Sequence, residues 1–512
     1  FKSEGYTALS RSDFAGTMPD GFEHVKEISE EELATWKYDD EAFNAYYDAA
    51  SIGTPVYETD AANRTSDRYS VVLSDLIGAD ADDPRYQELV EQLTLEEMIN
   101  LVNSGGFDSE AIPYIGKPYS RDTDGPKGWT GNYTDTNDRY NYFAAEPMIA
   151  ATYNNDLLYQ MGVMIGEQGL WGNSTQESGM VYNYTGWYAP GMNIHRSPFD
   201  RRGSEYYSED PLLSGTMAGY VIDGVQCHRG CGVTVKHFAC NNQEDNRMGV
   251  NVCISERALR EIYLRGFEIA VKKSRPVAMM SAYNLVNGIH AANSWELCTA
   301  VAREEWGFEG VVVSDWGGVK DRVAALKAGN DLDMPENKRN NQSIIEAVQD
   351  GSLSEKVLDR CVERILRLIF QAKEQEHFTD QADFEAHRAL SEKVAEESIV
   401  LLKNDRELLP ITKEKYKNIA VLGAFAKEPR YQGGGCTLVN PIRISSPYEE
   451  MERLADGHIH LTYAKGYELK NETSEELLRE ARETAAKADA AVIFAGLWVA
   501  YDREGFDRKH LE

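Results

Sequence analysis

The sequence predicts an α/β protein in which a (β/α)8 barrel is followed by a second, incomplete α/β domain. Its 512 residues are more than one compact core usually holds, so two domains are the first expectation. Short apolar runs of strand length, such as Val233–Val235, Val277–Met280 and Val311–Val313, alternate with stretches of helical periodicity. About 290 residues carry this alternation, which favours a parallel barrel over a small open sheet.

The first segment of the chain, residues 1–85, is acidic, aromatic and irregular. It has little apolar periodicity of its own. The sequence Ser29-Glu30-Glu31-Glu32 has the residue types of a helix capping box, which predicts one short helix in this segment. We interpret residues 1–85 as an N-terminal arm that packs on the barrel.

The barrel is expected to span residues 86–375. A second capping box, from Thr94 to Glu97, indicates its first helix, and apolar residues then recur at helical spacing. Two later stretches, 256–273 and 297–305, have helical periodicity and lie on either side of the strand at Val277–Met280. This order of strands and helices is typical of a parallel sheet.

A linker helix over 376–395 should connect the barrel to a second domain over 396–512. In that domain, Ile419–Gly423 and Ala490–Ala495 have the pattern of buried strands, and 475–488 has that of a helix. This is a βαβ pattern. It accounts for only part of a sheet, so we expect the second domain to be incomplete.

The charge of the chain disfavours two classes of partner. The sequence has 53 Lys and Arg residues against 84 Asp and Glu residues, a formal net charge of −31. Such a field repels phosphate backbones and anionic membranes. No apolar run approaches the roughly 18 to 20 residues that a membrane helix needs. We therefore expect neither nucleic acid nor a membrane as a partner.

Seven cysteines are odd in number and few for this length, which argues against a disulfide framework and favours a reducing compartment. The expected location is therefore cytoplasmic. Cys227, His228 and Cys231 have the spacing of metal ligands, but no second pair accompanies them. We expect no cofactor and no metal.

Polar side chains follow several predicted strands directly, where α/β folds place their reactive groups. Lys236 and His237 follow one strand, Tyr283 follows the next, and Asp315 and Trp316 follow a third. Asp315 is the sharpest candidate. A carboxylate there could attack a sugar ring that lies against Trp316, or it could simply cap the following helix.

Other polar residues also have a structural alternative. Lys236 and His237 could bind substrate hydroxyls or tune a carboxylate, although such a pair is often structural. Asp124, which precedes a Gly-Pro pair, is a turn signal by itself. Glu244 and Arg247 have the spacing of a salt bridge on a helix face.

The order of these motifs closely resembles glycoside hydrolase family 3, the retaining β-glucosidases and β-xylosidases, from about residue 86 to residue 512. So many matches in one order are highly specific. The resemblance implies a (β/α)8 barrel followed by an α/β sandwich, here a partial one, with the active site in the cleft between them. The matching stretches are Asp124–Pro126, Asn193–Arg196, Arg202, Glu205–Pro211, Lys236–Phe238, Asn242–Arg247, Tyr283–Asn284, Gly310–Trp316, Asp331–Pro335 and Glu504–Arg508.

The resemblance also implies roles for individual residues. Asp315 matches the family's nucleophile, and Glu504 matches its acid/base, which reaches over from the second domain. Trp316 would shape the floor of the −1 subsite. The positions that match the family's sugar-holding residues are Asp124, Arg202, Lys236, His237 and Tyr283.

Two carboxyl groups can divide the hydrolysis of a glycoside if one is ionised and attacks while the other is protonated and donates. We expect Lys236 and Arg202 to favour the ionised form of Asp315. A less positive environment should raise the pKa of Glu504. In a retaining enzyme the two groups lie about 5 to 5.5 Å apart.

Two departures from the family pattern affect the interpretation. After Phe238 the chain continues Ala-Cys-Asn-Asn-Gln, without the Pro-Gly-His-Gly of the family's N-acetylglucosaminidases, which disfavours an amino sugar as substrate. In addition, only eight residues follow Glu504, whereas family members continue the sandwich beyond this loop. We expect further chain or a second polypeptide to complete the sandwich.

The sequence therefore favours an exo-acting, retaining β-glucosidase that takes a small β-glucoside or oligosaccharide. A β-xylosidase or a mixed β-glucosidase/β-xylosidase is the alternative within the same chemistry. A non-catalytic sugar-binding protein is the alternative from another class. A nucleotide-dependent enzyme, raised by Gly433-Gly434-Gly435, is disfavoured because neither a dinucleotide-binding nor a P-loop motif is present.

Overall fold

The computed structural model describes residues 70–76, 79–80, 83–130, 139–171, 184–373, 382–470 and 472–509. Most of the predicted arm, with its helix after Ser29, therefore lies outside the described residues, as does the first part of the predicted linker helix. Within the described ranges, no helix is both long enough and apolar enough to cross a bilayer.

The larger domain is built around a mainly parallel sheet, accompanied by a small three-stranded sheet. Parallel strands that are covered on both faces read as continuous apolar runs, which is how the sequence revealed them. The strands are β1 (Asp108–Ser109), β2 (Ser120–Asp124), β3 (Gly186–Tyr188), β4 (Gly232–Phe238), β5 (Asn251–Val252), β6 (Ala278–Ser281), β7 (Leu285–Val286), β8 (Ile289–His290) and β9 (Val311–Ser314).

Among the described residues, the main sheet has the order β1-β2-β3-β4-β6-β9. β1 pairs with β2 antiparallel, and the other neighbours pair parallel. Every residue of β4, β6 and β9 is buried. The sheet therefore forms the core, and the carboxyl ends of its parallel strands meet at one edge.

Hydrogen bonds also connect the chain after β9, at one end of this sheet, to the residues that precede β1 and to β2, at the other end. A parallel bridge joins Val313 in β9 to Leu332. The neighbouring Asp333 N donates to Val102 O at 2.8 Å, and Phe107 O accepts from Asp122 N at 2.9 Å. The described sheet is thus a curled half-barrel of parallel strands, and the eight strands of the predicted barrel are not all present as separate strands.

Helices cover the outside of the sheet. α5 packs against both α4 and α6, and α10 lies on α3 and α4. The helices are α1 (Arg85–Val90), α2 (Leu95–Asn103), α3 (Glu146–Ala151), α4 (Asn155–Trp171), α5 (Pro211–Val225), α6 (Arg265–Ser274), α7 (Arg322–Ala328), α8 (Lys338–Gln349), α9 (Glu355–Lys373) and α10 (Phe384–Ser398).

The predicted helix starts can be compared with these bounds. The capping box at Thr94 is confirmed, since Thr94 Oγ1 accepts from Glu97 N and Glu97 Oε2 accepts from Thr94 N. The two stretches predicted beside the strand β6 are helical, but they contain π-helical turns over Leu259–Tyr263 and Glu296–Glu305. Apolar periodicity did not distinguish these wider turns from an α-helix.

The second domain has a three-stranded parallel sheet in the order β11-β10-β12 among the described residues. The central strand β10 is buried except at its first residue, whereas the edge strand β12 is only partly covered. The two predicted strands and the predicted helix are present with slightly different bounds, but a further helix and strand, over Pro447–Ala455 and His460–Ala464, lie between them and were not predicted. The elements are β10 (Asn418–Leu422), α11 (Pro447–Ala455), β11 (His460–Ala464), α12 (Glu475–Ala485) and β12 (Ala490–Ile493).

Candidate active site

The carboxyl edge of the main sheet collects the residues that the sequence singled out. Asp124 is the last residue of β2, and Lys236 and His237 lie near the end of β4. Asp315 comes directly after β9, and Tyr283 is the second residue after β6. Parallel pairing brings their strand ends side by side, although the residues are far apart in the sequence.

Lys236 lies between two carboxylates at this edge. Its Nζ is 2.9 Å from Asp124 Oδ1 and 3.0 Å from Glu205 Oε1. Burial raises the pKa of Asp124, and Lys236 opposes that shift. The charge of Lys236 is therefore largely committed to these two partners, and Asp124 is left as an acceptor that points to a partly open space.

Glu205 also holds Arg202 in a two-pronged ion pair. Arg202 Nε donates to Glu205 Oε2 at 2.7 Å, and Arg202 Nη2 donates to Glu205 Oε1 at 2.9 Å. Burial opposes ionisation of Glu205, but Arg202 and Lys236 outweigh it and lower its pKa to about 2. Glu205 is thus a buried anion that orients both Arg202 and Lys236. The planar guanidinium of Arg202 allows the two-pronged contact.

His237 is neutral in this environment. Burial lowers its pKa well below the usual value, and Arg202 and Lys236 lower it further. Arg202 Nη2 lies 3.1 Å from His237 Nε2, and Tyr206 Oη lies 3.2 Å from His237 Nδ1. Because a guanidinium only donates, Nε2 is the acceptor and Nδ1 carries the proton.

Asp315 is buried but incompletely paired. Its Oδ1 accepts from Trp316 N at 2.7 Å, whereas its Oδ2 has no hydrogen-bond partner among the described residues. His237 Nε2 is 3.5 Å from that second oxygen. The following helix α7 is capped by Asp321, whose side chain accepts from Ala324 N. The capping alternative for Asp315 is therefore wrong, and an oxygen of Asp315 is left for a ligand.

Trp316 provides an aromatic face beside this carboxylate. Its ring stacks on that of Phe107, with centroids 5.1 Å apart and an angle of 24° between the planes. The side of Trp316 away from Phe107 stays open, since 39% of the residue is exposed. Such a surface suits the apolar face of a sugar ring.

Glu504 reaches this edge from the second domain. Its Oε2 is 2.8 Å from Arg247 Nη1 and 4.0 Å from Arg202 Nη1. Its Oε1 accepts from Cys436 N at 3.2 Å. The Arg247 guanidinium also lies over the Tyr283 ring, 4.5 Å from its centroid. Glu504 therefore shares a cluster of charges with residues of the larger domain.

The pKa order of the two carboxyl groups is the reverse of the expected one. Burial raises the pKa of Asp315 to about 6, which Arg247 and Arg202 oppose and the charge of Glu504 reinforces. Although burial opposes it, Arg202 and Arg247 lower the pKa of Glu504 well below its usual range. The prediction for Glu504 was wrong because Arg247 pairs directly with it. Arg202 does favour the ionised form of Asp315, as predicted, but burial of that carboxyl group outweighs it, and Lys236 is taken up by Asp124 and Glu205.

The loop that carries Glu504 is attached to a loop of the larger domain. Gly505 N donates to Glu244 Oε2 at 2.9 Å. The carboxylate of Asp507 accepts from Glu244 N at 3.0 Å and from Asp245 N at 3.2 Å. Glu244 and Arg247 do form a salt bridge, at 2.8 Å, but they lie in a turn and not on the predicted helix face. Both also contact the loop that carries Glu504, the acid loop.

The glycine run of the second domain lies against the same carboxylate. A Cβ on Gly435 would be 2.9 Å from Glu504 Oε1, and Gly435 has a φ of +67°, which other residues rarely adopt. The run therefore allows the chain to approach Glu504 closely. This use explains the glycines that raised the nucleotide alternative.

Sequence reasoning missed or undervalued several residues of this site. Glu205 was part of a matching stretch but received no role, and Arg247 was interpreted as half of a surface salt bridge. Cys436 was considered only as one of seven scattered thiols, yet its Sγ lies 3.6 Å from Arg202 Nη2. Their positions in the sequence could have pointed to all three. Glu205 and Arg247 lie within stretches that match the family, and Cys436 directly follows the glycine run.

Two carboxylates from different domains, surrounded by cations, neutral donors and an aromatic face, are the arrangement of a glycoside-cleaving site. The chain belongs to glycosyl hydrolase family 3. The family's N terminal domain model matches residues 130–368, and its C-terminal domain model matches residues 399–512.

Individual relatives agree with this assignment. The chain is 41% identical over 435 residues to thermostable beta-glucosidase B of Acetivibrio thermocellus. The aligned region covers 83% of this chain and 56% of the relative. It is 38% identical over 441 residues to an exo-alpha-(1->6)-L-arabinopyranosidase of Bifidobacterium breve, with the same two coverages. The chain thus spans little more than half the length of these relatives.

A solved structure gives the same assignment. The crystal structure of the family 3 beta-glucosidase of Bifidobacterium adolescentis superimposes with a TM-score of 0.75 at 37% sequence identity. The match covers 83% of this chain and 60% of that one. The two-domain α/β fold of the family is therefore shared.

Proposed function

We propose that this chain carries the active site of an exo-acting, retaining β-glucosidase that removes the non-reducing terminal β-D-glucosyl residue of short β-glucosides. One observation supports it most. Asp315 and Glu504 come from different domains, yet Arg202 and Arg247 act on the charge of both. Two carboxyl groups that share cations in this way face a common space, as double displacement requires.

In this proposal Asp315 attacks the anomeric carbon with its unpartnered Oδ2, and the bond to the leaving oxygen breaks as Glu504 gives that oxygen a proton. The products of this step are a glycosyl ester on Asp315 and a free alcohol. Glu504, now ionised, takes a proton from water, and the water oxygen displaces Asp315 from the same carbon. Two inversions leave the configuration of the sugar unchanged.

The remaining predicted residues would bind the sugar in the −1 subsite. Asp124 is a partly exposed acceptor for hydroxyl groups, and Lys236 beside it is a donor. Arg202 and His237 hold each other in place and line the pocket next to Asp315. A glucose ring would lie against Trp316. Tyr283, whose ring lies under the Arg247 guanidinium, would form one side of the pocket. The residues proposed for this role are Asp124, Arg202, Lys236, His237, Tyr283 and Trp316.

We also propose that the curled sheet is the wall of a (β/α)8-type barrel and that the second domain is a partial α/β sandwich. The hydrogen bonds of Val102 and Phe107, which link the region after β9 to β2, support a closed wall. A closed wall would leave its carboxyl edge as the natural place for the pocket.

The experiment that tests the function is hydrolysis of an aryl β-D-glucoside, followed by NMR of the first sugar released. We expect the β anomer of glucose to form first and the α anomer to follow by mutarotation. Initial release of the α anomer would contradict retention, and no release at all would support the alternative of a non-catalytic sugar-binding protein. Binding of a glucose-like inhibitor, measured by calorimetry, separates that alternative from a misfolded sample.

Substrate choice can be tested by comparing kcat/KM on aryl β-D-glucoside, β-D-xyloside and α-L-arabinopyranoside. The beta-glucosidase relatives support glucose, and the arabinopyranosidase relative is the reason for the third substrate. We expect the highest kcat/KM on the glucoside. One missing methylene group is usually worth roughly tenfold to 200-fold in kcat/KM. A xyloside value within about threefold of the glucoside value would therefore show little discrimination and would favour the mixed β-glucosidase/β-xylosidase.

The pKa values give an expected pH profile. Above about pH 6, where Asp315 loses its proton, both carboxyl groups are ionised and no general acid remains. Below that point the pair holds one proton, and the form with the proton on Glu504 can react. We expect the alkaline limb of the kcat/KM profile to begin near pH 6, and kcat/KM to fall about tenfold per pH unit above that point. A flat profile to pH 8 would contradict this assignment.

Arg247 should control the position of that limb. Replacing it with methionine removes a cation that lowers the pKa values of both Asp315 and Glu504. Both values rise, so the alkaline limb should move upward by about one pH unit or more. Arg388→Met, which removes an exposed arginine paired with Glu385 on α10, is the control and should leave the limb unchanged.

We further propose that additional polypeptide covers the apolar segment Ile399–Leu402. Its four side chains are 60% to 92% exposed, and Ile493 in β12 is 68% exposed. Exposed apolar patches of this kind mark interaction sites. Light scattering on the purified active species should give a mass above that of this chain alone. Leu402→Lys should weaken the association, whereas Leu212→Lys on the larger domain should not.

A further inference from the structure

We propose that Asp502 is a positioning residue, whose carboxylate clamps the loop that carries Glu504 onto the barrel. The inference rests on the proposed acid/base role of Glu504. Asp502 does not itself contact the reacting groups. Its effect would be on where Glu504 lies relative to a sugar in the pocket.

The carboxylate of Asp502 is buried between the two domains, with 5% of its side chain exposed. On the barrel side, Ser204 Oγ donates to Asp502 Oδ1 at 2.6 Å, and Lys127 Nζ is 3.6 Å from Oδ2. On the side of the second domain, Arg430 Nη2 donates to Oδ2 at 2.5 Å. Asp502 therefore has one cation from each domain and a hydroxyl from the barrel.

The barrel partners belong to segments that carry sugar-holding residues. Lys127 is three residues after Asp124, and Ser204 is two residues after Arg202. Lys127 Nζ also donates to Ser204 Oγ at 3.0 Å, so the two segments are joined to each other as well. A shift of the clamp would change the distance between Glu504 and the rest of the pocket.

The backbone of Asp502 extends the clamp to the glycine run. Gly434 N donates to Asp502 O at 2.9 Å. Two residues further along that run, Cys436 N donates to Glu504 Oε1. Asp502 thus anchors both second-domain segments that are close to Glu504. It belongs to the loop that carries Glu504, and its carbonyl oxygen binds the glycine run that precedes Cys436.

The charge of Asp502 should matter more than its shape. Hydrogen bonds between ionised partners are shorter and about twice as strong as neutral ones, and a buried ion left without its partner is costly. Other ties of this loop are hydrogen bonds that involve its backbone amides or those of the larger domain, such as Asp507 to Glu244 N and Asp245 N, and Gly505 N to Glu244 Oε2. Asp502 therefore gives the acid loop an ionic anchor in addition to the ion pair of Glu504 itself with Arg247.

The test compares Asp502→Asn with Asp489→Asn in the full chain. Asparagine keeps the shape of the side chain and removes its charge. Asp489 is the matched control because its carboxylate accepts from Lys417 N and Asn418 N, within the second domain. Both variants are assayed on an alkyl β-glucoside, which needs protonation of its leaving group, and on a 2,4-dinitrophenyl β-glucoside, which does not.

We expect Asp502→Asn to lower kcat on the alkyl glucoside by about tenfold to 100-fold, as a misplaced catalytic group does, and on the activated glucoside by less than about threefold. Asp489→Asn should change both by less than about twofold. Equal losses on the two substrates would mean that Asp502 supports only the fold, and would overturn the proposal.

Hydrogen exchange gives a second readout that needs no activity. The amides of Gly505, Asp507 and Arg508 all donate to the barrel. They should exchange faster in Asp502→Asn and at the wild-type rate in Asp489→Asn. Unchanged exchange in Asp502→Asn would overturn the proposed role of Asp502, whether or not the wild type is active. Absence of β-glucoside hydrolysis by the wild type would overturn the proposed function separately. If Asp502→Asn does not fold, Lys127→Met removes the barrel cation and is judged by the same two measurements.

Discussion

Replacing Asp315 with asparagine should lower kcat on an aryl β-D-glucoside by about 10⁴-fold or more while the chain stays folded. The amide has nearly the shape of the carboxylate, and its oxygen can still accept from Trp316 N, a bond that is 2.7 Å long in the wild type. It cannot form a glycosyl ester by attack on the anomeric carbon. The loss should therefore be a loss of chemistry rather than of binding.

Asp321→Asn is a matched control for this variant. Asp321 lies six residues further along the same loop and caps α7 through a bond from Ala324 N. Since asparagine caps helices about as well as aspartate, we expect kcat to stay within about twofold of the wild type. Calorimetry should show an unchanged melting temperature for both variants, and Asp315→Asn should still bind a glucose-like inhibitor. Activity above about 1% of the wild type in Asp315→Asn would remove Asp315 from the role of nucleophile.

Replacing Glu504 with glutamine should give a loss that depends on the leaving group. An alkoxide is a poor leaving group and needs a proton as the bond breaks, so kcat/KM on an alkyl β-glucoside should fall by about 10² to 10⁴-fold. A 2,4-dinitrophenolate leaves without help, so kcat/KM on that substrate should fall by less than about tenfold. The glutamine oxygen can still accept from Cys436 N.

Glu480→Gln, on the exposed side of α12, controls for the general change in charge and should leave both substrates unaffected. The pH profile adds an independent check. The alkaline limb near pH 6 depends on a proton shared by Asp315 and Glu504, so it should disappear in Glu504→Gln on the activated substrate. Equal losses on the two substrates would assign the acid role to another group.

Much of the larger domain could be predicted because its strands are covered on both faces. The runs at Val233–Val235 and Val311–Val313 are apolar for that reason, and each is followed by the polar residues of the site. The capping box at Thr94 is equally local, since its two hydrogen bonds join residues three apart. Features of this kind depend on neighbours in the sequence.

The electrostatics of the site could not be predicted in the same way. Lys236 was expected to act on Asp315, yet Asp124 and Glu205 hold it. Arg202 does act on Asp315, but burial of that carboxyl group outweighs its effect on the pKa. Arg247 was interpreted as a partner of Glu244 alone, yet it also pairs with Glu504, 257 residues away. The order of the two pKa values follows from these contacts, and so the sequence suggested the opposite order.

The sequence by itself determined the alternation of strands and helices, the family, and the residues that stand at the carboxyl ends of β4 and β9. Only the tertiary structure decided which charges share the pocket, which carboxyl group keeps its proton at higher pH, and how Asp502 joins the two domains. The physical reason is that apolar periodicity reflects the burial of each residue in turn. Coulomb interactions and hydrogen bonds depend on distances between side chains that the fold brings together.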